Sequence, residues 1–420
     1  MELYPMLSVE EAQEQVLGVF EVLAPERVPI LEALGRVLAE DIHADVDIPP
    51  HTNSAMDGYA VTAADTVGAS PESPRRLSIV DDLGAGYVSA TEVRPGTTIR
   101  IMTGAPLPDG ADAVVRFEDT ERHGDWVDVK VEVPVGKEIR VAGEDVRKGM
   151  LVLLRGSLVR AQEVGMAATL GRKEVMVYRR PLVGILATGD EVVEVDQPLA
   201  PGQIRNANSY SNAAQVLQCG GIPTMLGIAR DEIRELTDKI RSGLDHEVDL
   251  FLTSGGVSVG DFDVVKEALA AEGEMSFWRV RMKPGKPLAF GQIQGVPLLG
   301  FPGNPVSAMI SFELFARPAI MKMQGMTGWE RPTVEAVLVN EVTSKDDRRH
   351  YLRVRLEDAA GECRARLTGE QGSGILSSMI GADGLAIIPE DWSSVPSGSR
   401  VTVMLVGGEV ACPAREGRSR

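Results

Sequence analysis

The feature that most constrains the fold is a regular alternation of apolar strands and amphipathic helices that begins at Pro181. Three near-continuous apolar runs, "PLVGILATG", "IPTMLGIA" and "VDLFLTSGG", are each followed by a segment with helical spacing. Strands this apolar are buried on both faces, which is typical of a parallel sheet covered by helices. Ligands of such sheets bind at the carboxyl ends of the strands. We therefore expect an α/β domain over residues 181–327 with its site at that edge.

The N-terminal part of the chain has a helical segment followed by a β-rich one. Residues 7–40 show helical spacing, with Ser8 and Glu11 placed as a capping box and a second short helix expected over Leu31–Leu38. Residues 45–140 contain short strand-like runs such as "WVDVKVEV" and "TTIRIM" between many turns. This texture predicts a compact β domain.

The remaining segments complete a multidomain fold of α/β plus β. Strand, turn and helix patterns return over residues 141–180, so we expect segments 1–44 and 141–180 to pack together as one linker domain, into which residues 45–140 are inserted. Residues 328–412 are β-rich again and favour a small C-terminal β barrel or sandwich. Several domains are expected for 420 residues, because single hydrophobic cores stop growing well below that length.

The charge balance limits the kinds of partner. The net charge is −18 at pH 7, and no Lys/Arg-rich run supplies the basic face that nucleic-acid binding needs. No apolar stretch approaches the ~20 residues of a membrane span. The start, "MELYPMLSVEEAQEQV", has neither a basic nor an apolar leader region. We expect a cytoplasmic protein with no nucleic-acid or membrane partner.

Three predicted strand ends share one design of small residues. They are "LATGDEVVE", "LTSGGVSVGDFD" and "LGFPGNPVSAMISFELF". Glycines at such turns let backbone N–H groups approach a ligand closely, and Ser254, Ser258 and Ser307 can donate to phosphate oxygens. The loops match neither the Walker loop nor the dinucleotide-binding fingerprint. One such loop alone is equally consistent with a plain turn, but three together predict a phosphate-type site.

A tight bend, "KPGKP", lies between the second and third of these loops. Pro284 and Gly285 favour a turn, so Lys283 and Lys286 can present two ammonium groups to one anion. The alternative interpretation is a pair of solvated surface lysines.

Carboxylates cluster in the same loops, at Asp190, Glu191, Asp261 and Asp263. Carboxylates beside a phosphate site usually hold Mg²⁺ or position a water molecule. Asp261 also fits a helix N-cap. Asp263 is therefore the better catalytic candidate.

Together these motifs resemble those of a known family. "SAMDGYA", "MTGAPLPDGADAVV", "GEDVRKG", "TGDE", "SGGVSVGDFD", "KPGKP" and "PGNPVS" occur in the order found in the molybdopterin molybdenumtransferases, which include bacterial MoeA and the E domain of gephyrin. The resemblance covers essentially the whole chain. It implies a homodimer of four-domain subunits with a MogA-like α/β domain and an active cleft at the dimer interface, and it assigns dimerisation to the linker domain.

The resemblance also implies an activity. The family takes adenylylated molybdopterin and molybdate, hydrolyses the adenylate and leaves molybdenum on the dithiolene, releasing AMP, with a divalent cation such as Mg²⁺ required. An upstream molybdopterin adenylyltransferase is the implied partner. The motifs assign catalysis to Asp263, Asp57 and Asp145, and the metal to Glu191 and Asp190. The residues assigned to adenylylated molybdopterin are Thr103, Thr188, Gly189, Asn208, Ser254, Gly255, Gly256, Ser258, Gly260, Gly303 and Asn304.

The family's molybdate-binding residues can be matched in the same way. The residues that the resemblance assigns to molybdate are Lys283, Lys286, Ser307, Arg353, Ser373 and Ser378. There is one departure from the family's pattern: Ala207 stands in "IRNANSYSNA" where the family commonly has a serine.

Two other interpretations remain open. The first is a non-catalytic pterin-binding scaffold, because the animal relative also anchors receptors. The chain keeps its acids and both lysines, which favours an enzyme. The second is an adenylyltransferase acting one step earlier. That enzyme would need only the α/β domain, whereas about two thirds of this chain lies outside it.

Overall fold

The structure is a computed structural model that describes residues 6–230, 232–255, 273–343, 346–359 and 361–407. The chain divides into two compact units, one containing residues 1–28, 35–37 and 176–420 and the other residues 29–34 and 38–175. Within the described ranges, no helix is long and apolar enough to cross a membrane.

The first unit contains a seven-stranded sheet. In spatial order its strands are Met6–Leu7, Gly273–Val280, Pro287–Ile293, Val296–Phe301, Leu250–Ser254, Leu182–Thr188 and Ile222–Ala229. The last four strands are parallel to one another, as the apolar runs predict. All five residues of Leu250–Ser254 are buried, which explains why this strand has no alternation of apolar and polar positions.

The other edge of the sheet is antiparallel, so the sheet is mixed rather than wholly parallel. Pro287–Ile293 pairs antiparallel with both Gly273–Val280 and Val296–Phe301. Only Gln294 and Gly295 separate Pro287–Ile293 from Val296–Phe301, and both residues have positive φ. A two-residue turn of this kind closes a hairpin, whereas a parallel crossover needs a dozen or more residues.

Helices of the first unit pack on this sheet. The helix Val9–Gly18 begins with the predicted capping box, in which Ser8 and Glu11 bond each other's backbone amides. Together the helices bury a large apolar core with the central strands. The helical segments of the first unit are Val9–Gly18, Ala207–Gln218, Ile233–Asp245, Pro305–Ser311, a π-helical turn at Phe312–Ala316, Arg317–Met323 and Ser377–Ile380.

The C-terminal part of the first unit is a closed β barrel, as predicted. Each of its five strands pairs with two others in the ring, and Arg349–Ala359 closes the ring against Gly384–Ile388. In order around the barrel, the strands are Arg349–Ala359, Glu362–Leu367, Thr333–Leu338, Arg400–Leu405 and Gly384–Ile388. The short strand Met282–Lys283 pairs parallel with Arg349–His350, which fixes the start of the lysine bend against the barrel.

The second unit is built around a six-stranded sheet, which confirms the predicted β texture. In order, the strands are Ala113–Arg116, Gly58–Val61, Thr97–Ile101, Arg75–Leu83, Trp126–Val129 and Thr120–His123. Two short strand pairs, Ile42–His43 with Leu151–Leu153 and Asn53–Ser54 with Ile139–Arg140, and the helix Ala161–Thr169 lie in the same unit. Short strands at Pro25–Pro29, Glu174–Tyr178, Val192–Val193, Ile204–Arg205, Val342–Thr343 and Ser394–Val395 and 3₁₀ turns at Ala63–Thr66 and Phe117–Asp119 complete the described elements.

The predicted helix over Leu31–Leu38 is wrong. This segment forms turns, with Leu31 and Leu34 exposed. Gly35 adopts a φ of +76°, which a right-handed helix cannot include. The apolar spacing of this segment therefore does not indicate a buried helical face.

Candidate active site

Three parallel strands end side by side at one edge of the sheet in the first unit. Ser254 lies level with Phe301 on one side and with Ala187 on the other. The glycine-containing loops that follow these strands therefore begin next to one another. This arrangement is the one that the sequence predicted for a ligand site.

Gly255 is the tightest point of this edge. Its φ is +93°, and a Cβ added there would lie 2.5 Å from the carbonyl oxygen of Thr188 and 2.9 Å from its hydroxyl. The amide of Gly255 donates to the carbonyl of Phe301 at 3.1 Å. Only glycine fits this backbone without displacing the neighbouring loop.

The loop after Phe301 is held by contacts from distant segments. The side-chain amide of Asn208 donates to the carbonyl of Gly303 at 2.8 Å. The amide of Val306 donates to the carbonyl of Ser373 at 3.1 Å, which ties the barrel segment to the helix after Gly303. Gly189 has a φ of +136°, and a Cβ there would lie 2.6 Å from the carboxylate of Glu191.

These loops enclose a cavity of about 740 Å³. Of the residues that the structure describes, three cations and one carboxylate line it: Lys283, Lys286, Arg348 and Glu191. Its other lining residues are Thr188, Gly189, Ile204, Gly255, Pro284, Gly285, Pro287, Pro302, Gly303, Asn304, Ser307, Gln371, Gly372 and Ser373. An excess of fixed positive charge in a strongly acidic protein suits an anionic ligand.

The bend that carries Lys283 and Lys286 requires glycine at position 285. Gly285 has a φ of +100°, and a Cβ there would lie 2.7 Å from the Met282 side chain and 2.9 Å from the Ser311 hydroxyl. Lys283 is half exposed, and its Nζ lies 3.3 Å from Asp346 Oδ2. Both lysines line the cavity, which favours the anion-binding interpretation over two solvated lysines.

Asp346 interacts with three side-chain donors next to the cavity. Its Oδ2 lies 2.5 Å from Nη2 of Arg348 and 3.3 Å from Nζ of Lys283, and its Oδ1 lies 2.8 Å from Nε2 of His350. The hydrogen bond from Arg348 is the main cause that holds the pKa of Asp346 well below its usual range. Asp346 therefore stays ionised and fixes the side chains around it.

Arg353 does not line this cavity but lines an adjoining one of about 250 Å³, which shares Lys283, Pro284 and Gln371 with it. It is fully buried, and its guanidinium donates to the hydroxyl of Ser378 at 3.0 Å. Its remaining bonds go to the carbonyls of Glu370, Gln371 and Gly372, at 2.9–3.3 Å. Burial lowers the pKa of Arg353 to about 10, so it remains charged at neutral pH. Neither Arg353 nor Ser378 lines the cavity, whereas Ser373 and Ser307 do.

The acids predicted in the N-terminal β region belong to the second unit. Asp57 is exposed and accepts hydrogen bonds from the amide and the hydroxyl of Thr103, both at 2.7 Å. These bonds hold the pKa of Asp57 below its usual range. Asp145 is also exposed, and its amide donates to the carbonyl of Ile48 at 3.1 Å. Within their unit, Asp57 and Thr103 are hydrogen-bonded to each other, and the roles that the resemblance assigns to them stay predictions.

Several of the predicted residues cannot be placed. Gly256, Ser258, Gly260, Asp261 and Asp263 lie outside the described residues. Their assigned roles stay predictions.

The described residues provide a partial fit for a divalent cation. The carboxylate of Glu191 and the hydroxyl of Thr188 both line the cavity, and hard oxygen donors are what Mg²⁺ prefers. Asp190 is exposed and does not line the cavity. Among the residues that the structure describes, no three His, Cys, Asp or Glu side chains group as metal ligands. Mg²⁺ commonly uses only one or two carboxylates together with substrate phosphates, so a protein site for it needs no more than one carboxylate.

A second chamber of about 350 Å³ adjoins the first and shares Thr188, Gly255 and Gly303 with it. Ala207 lines this chamber at the position of the family's serine, so the chain provides no hydroxyl there. Asn206 also lines it, and the nitrogen of its side-chain amide is buried without a hydrogen bond.

Sequence reasoning missed Arg348 as a cavity residue. It stands in "DDRRHYLRV", where three arginines precede or lie within a barrel strand. Alternation along the strand shows that neighbours face opposite sides, but it does not show which side meets the cavity. The pairing of Met282–Lys283 with Arg349–His350 decides this.

The fold and the cavity define a class: a multidomain α/β and β protein with a cation-lined substrate cavity at the strand ends. Comparison with protein families matches three regions in order. Residues 7–171 match the MoeA N-terminal region (domain I and II), residues 184–322 a probable molybdopterin binding domain, and residues 335–406 the MoeA C-terminal region (domain IV).

Individual relatives agree with this. The chain is 38% identical over 404 residues to molybdopterin molybdenumtransferase 2 of Mycobacterium tuberculosis, covering 95% of this chain and 99% of the relative. It is 36% identical over 410 residues to the molybdopterin molybdenumtransferase of Bacillus subtilis, covering 96% and 95%. The crystal structure of the molybdopterin biosynthesis MoeA protein from Pyrococcus horikoshii aligns with a TM-score of 0.83 at 33% identity, covering 96% of this chain and 100% of that one. The chain therefore belongs to the molybdopterin molybdenumtransferase family, as its motifs indicated.

Proposed function

We propose that this protein inserts molybdenum into adenylylated molybdopterin, with molybdate as the metal source and AMP as the released product. The observation that carries the proposal is the cavity at the strand ends, whose described lining includes Lys283, Lys286, Arg348 and Glu191, in a chain that belongs to this family. The relatives at 31–38% identity carry the name molybdopterin molybdenumtransferase. The chain is accordingly a transferase.

The geometry supports a role for each part of the cavity. The absence of a side chain at Gly255 and Gly189 lets phosphate oxygens of the substrate approach the backbone of these turns closely. Lys283 and Lys286 supply fixed positive charge for a compact dianion such as molybdate, with Ser307 and Ser373 as hydroxyl donors. AMP leaves when water adds across the phosphoanhydride bond of the adenylate, and Asp263 is the proposed residue for that step.

We further propose that the enzyme requires Mg²⁺, with Glu191 as the ligand from this cavity and Asp190 beside it. A bound Mg²⁺ would neutralise phosphate charge and polarise the bond that is broken. The support is the oxygen donor set of Glu191 and Thr188 at the cavity wall.

The assembly that we propose is a cytoplasmic homodimer whose active site is completed across the subunit interface. Each subunit would have four domains: 1–44 with 141–180, 45–140, 181–327 and 328–412. An upstream molybdopterin adenylyltransferase would supply the substrate. The family membership supports these proposals, and Asp57 and Asp145 are the acids that the partner subunit would contribute.

The experiment that tests the function is AMP release from adenylylated molybdopterin, with and without molybdate, in the presence of Mg²⁺. Molybdate-dependent release is expected. Tight binding of the adenylylated pterin without AMP release would contradict the transferase and support the non-catalytic scaffold. Repeating the assay after chelation with EDTA tests the metal requirement, because activity should return only when a divalent cation is added back.

A further inference from the structure

A buried ionic cluster lies on the helical segment that follows the cavity loop of Gly303. Its carboxylate is that of Glu313, which stands in the π-helical turn Phe312–Ala316 with its side chain only 6% exposed. Arg331 donates to both carboxylate oxygens, from Nε at 2.9 Å and from Nη2 at 3.2 Å, and Nε of Arg317 lies 3.9 Å from the carboxylate. Paired hydrogen bonds of this kind fix the direction between two groups as well as their distance.

The same carboxylate also contacts the helix Ala207–Gln218, which we call the chamber helix because its first turn lines the second chamber. Near the end of this helix, Gln215 donates from Nε2 to Oε1 of Glu313 at 3.0 Å, and this contact is buried. Near its beginning, Asn208 donates to the carbonyl of Gly303 at 2.8 Å. The chamber helix is therefore attached at both of its ends to the segment that runs from the cavity to the ionic cluster.

Arg331 stands at the junction between this helical segment and the barrel. The carbonyl of the next residue, Pro332, accepts a hydrogen bond from the amide of Leu405 in a barrel strand at 2.9 Å. Arg317 donates to the carbonyl of Trp329, so the junction is held at a second point. Two adjacent residues are thus bonded to different parts of the molecule, one to the buried cluster and the other to the barrel.

A further link between the helical segment and the barrel lies at the cavity itself. The amide of Val306 donates at 3.1 Å to the carbonyl of Ser373, a cavity residue on a loop between two barrel strands. Val306 belongs to the first turn of the helix Pro305–Ser311, where amides have no partner within their own helix. Its hydrogen bond therefore depends on the position of the barrel loop against the helix.

We propose that Glu313 is a positioning residue for the reaction. Through Arg331 it fixes the start of the barrel, and through Gln215 it fixes the chamber helix, both to one helical segment. Ser373 and Asn208, which border the two chambers, are thereby held in place together. The inference rests on the proposed function for the reaction that is assayed, whereas the positioning itself is measured without any turnover.

The first test breaks the link to the barrel in the whole protein. Arg331→Gln removes the paired hydrogen bonds but leaves Arg317 near the carboxylate of Glu313. Hydrogen exchange of the Val306 amide should accelerate about ten-fold, the usual effect of losing a charge-assisted hydrogen bond. The half-saturating concentration of molybdate in the AMP-release assay should rise about ten-fold, because a misplacement of about 1 Å can cost up to 10²-fold. Arg331→Lys keeps the charge without the planar fork, and it should recover part of both values.

A matched control separates positioning from a general loss of stability. Arg179 makes the same kind of paired contact, with Asp249 at 2.5 Å and 2.7 Å, next to the end of Leu250–Ser254 that lies away from the cavity. Arg179→Gln and Arg331→Gln should both lower the urea midpoint of unfolding, because each leaves a partly buried carboxylate without its partner. Only Arg331→Gln should change the exchange of Val306 and the molybdate dependence. Equal behaviour of the two variants in these two measurements would overturn the inference.

The second test breaks the link to the chamber helix. Gln215→Met keeps the length of the side chain but removes the donor to Glu313. It should raise the half-saturating concentration of adenylylated molybdopterin about three-fold or more and leave that of molybdate near the wild-type value, because the chamber helix carries Asn208 and no part of the barrel. An unchanged dependence on the adenylylated pterin would contradict the role of Glu313 at this helix.

The inference and the proposed function can fail separately. If the wild-type protein releases no AMP, the proposed function fails, and the exchange of Val306 in Arg331→Gln and Arg179→Gln still decides the inference. If AMP release depends on molybdate but Arg331→Gln matches the wild type in both exchange and molybdate dependence, the function stands and the inference is wrong.

Discussion

Replacing Gly255 by alanine tests whether the close approach of the strand-end loops is a real constraint. The φ of +93° is one that L-residues rarely adopt, so placing alanine in this conformation costs about 1–2 kcal/mol. The added Cβ would also lie 2.5 Å from the backbone oxygen of Thr188, which must move. Overpacking of this kind typically costs about 1–3 kcal/mol.

The net effect is smaller than the sum of these two costs. Alanine restricts the unfolded chain more than glycine does, which returns about 0.4–1 kcal/mol. We therefore expect Gly255→Ala to lower the free energy of unfolding by about 2–4 kcal/mol. With a urea dependence of about 1–3 kcal/mol per molar, the unfolding midpoint should fall by about 1 M or more.

The assay is urea unfolding followed by far-UV circular dichroism, with Gly303→Ala as the matched control. Gly303 lines the same cavity, but among the described residues a Cβ there would meet only the Cα of Gly255, at 3.7 Å, an ordinary contact. The control should shift the midpoint little. If Gly255→Ala unfolds at the same urea concentration as Gly303→Ala and the wild type, the steric reasoning about this edge is wrong.

The other predictions concern charge and assembly. Lys286→Ala should raise the molybdate concentration for half-maximal AMP release about ten-fold, and a change in pterin affinity alone would contradict its place in the molybdate site. Asp263→Asn should retain the adenylylated pterin but release no AMP, and normal AMP release would remove Asp263 from the mechanism. Asp346 has a depressed pKa, so its contribution to stability is present above the unfolded-state value of 3.8 and is lost as the pH falls below it. Asp346→Asn should therefore unfold more easily than the wild type at pH 7, and the difference should shrink below about pH 4 in acid titrations; a constant difference would contradict this. Mixing inactive Asp57→Asn and Asp263→Asn chains should restore about a quarter of wild-type AMP release if sites are completed between subunits of a dimer, and none if each site lies within one chain.

The sequence was informative wherever residue type imposes a backbone requirement. Glycines at 189, 255 and 285 all adopt positive φ, and the turns that they make are visible in the sequence as loops between strands and helices. The capping box at Ser8 and Glu11 and the apolar strand Leu250–Ser254 are local patterns of the same kind. The same local reasoning fails at Leu31–Leu38, where apolar spacing coincides with exposed turns.

Only the tertiary structure decides which side chains meet in the cavity. The antiparallel edge follows from a two-residue turn whose flanking strands have the same apolar pattern in either direction, and the position of the lysine bend against the barrel follows from the register of Met282–Lys283 on Arg349–His350. A shift of one residue in that register would turn every side chain to the opposite face. The sequence by itself therefore determined the loops, the domain textures and the anion-binding chemistry, because these depend on neighbouring residues. The bonds of Lys283 to Asp346 and of Asn208 to Gly303 join segments that are 63 and 95 residues apart in the chain, and only folding brings them together.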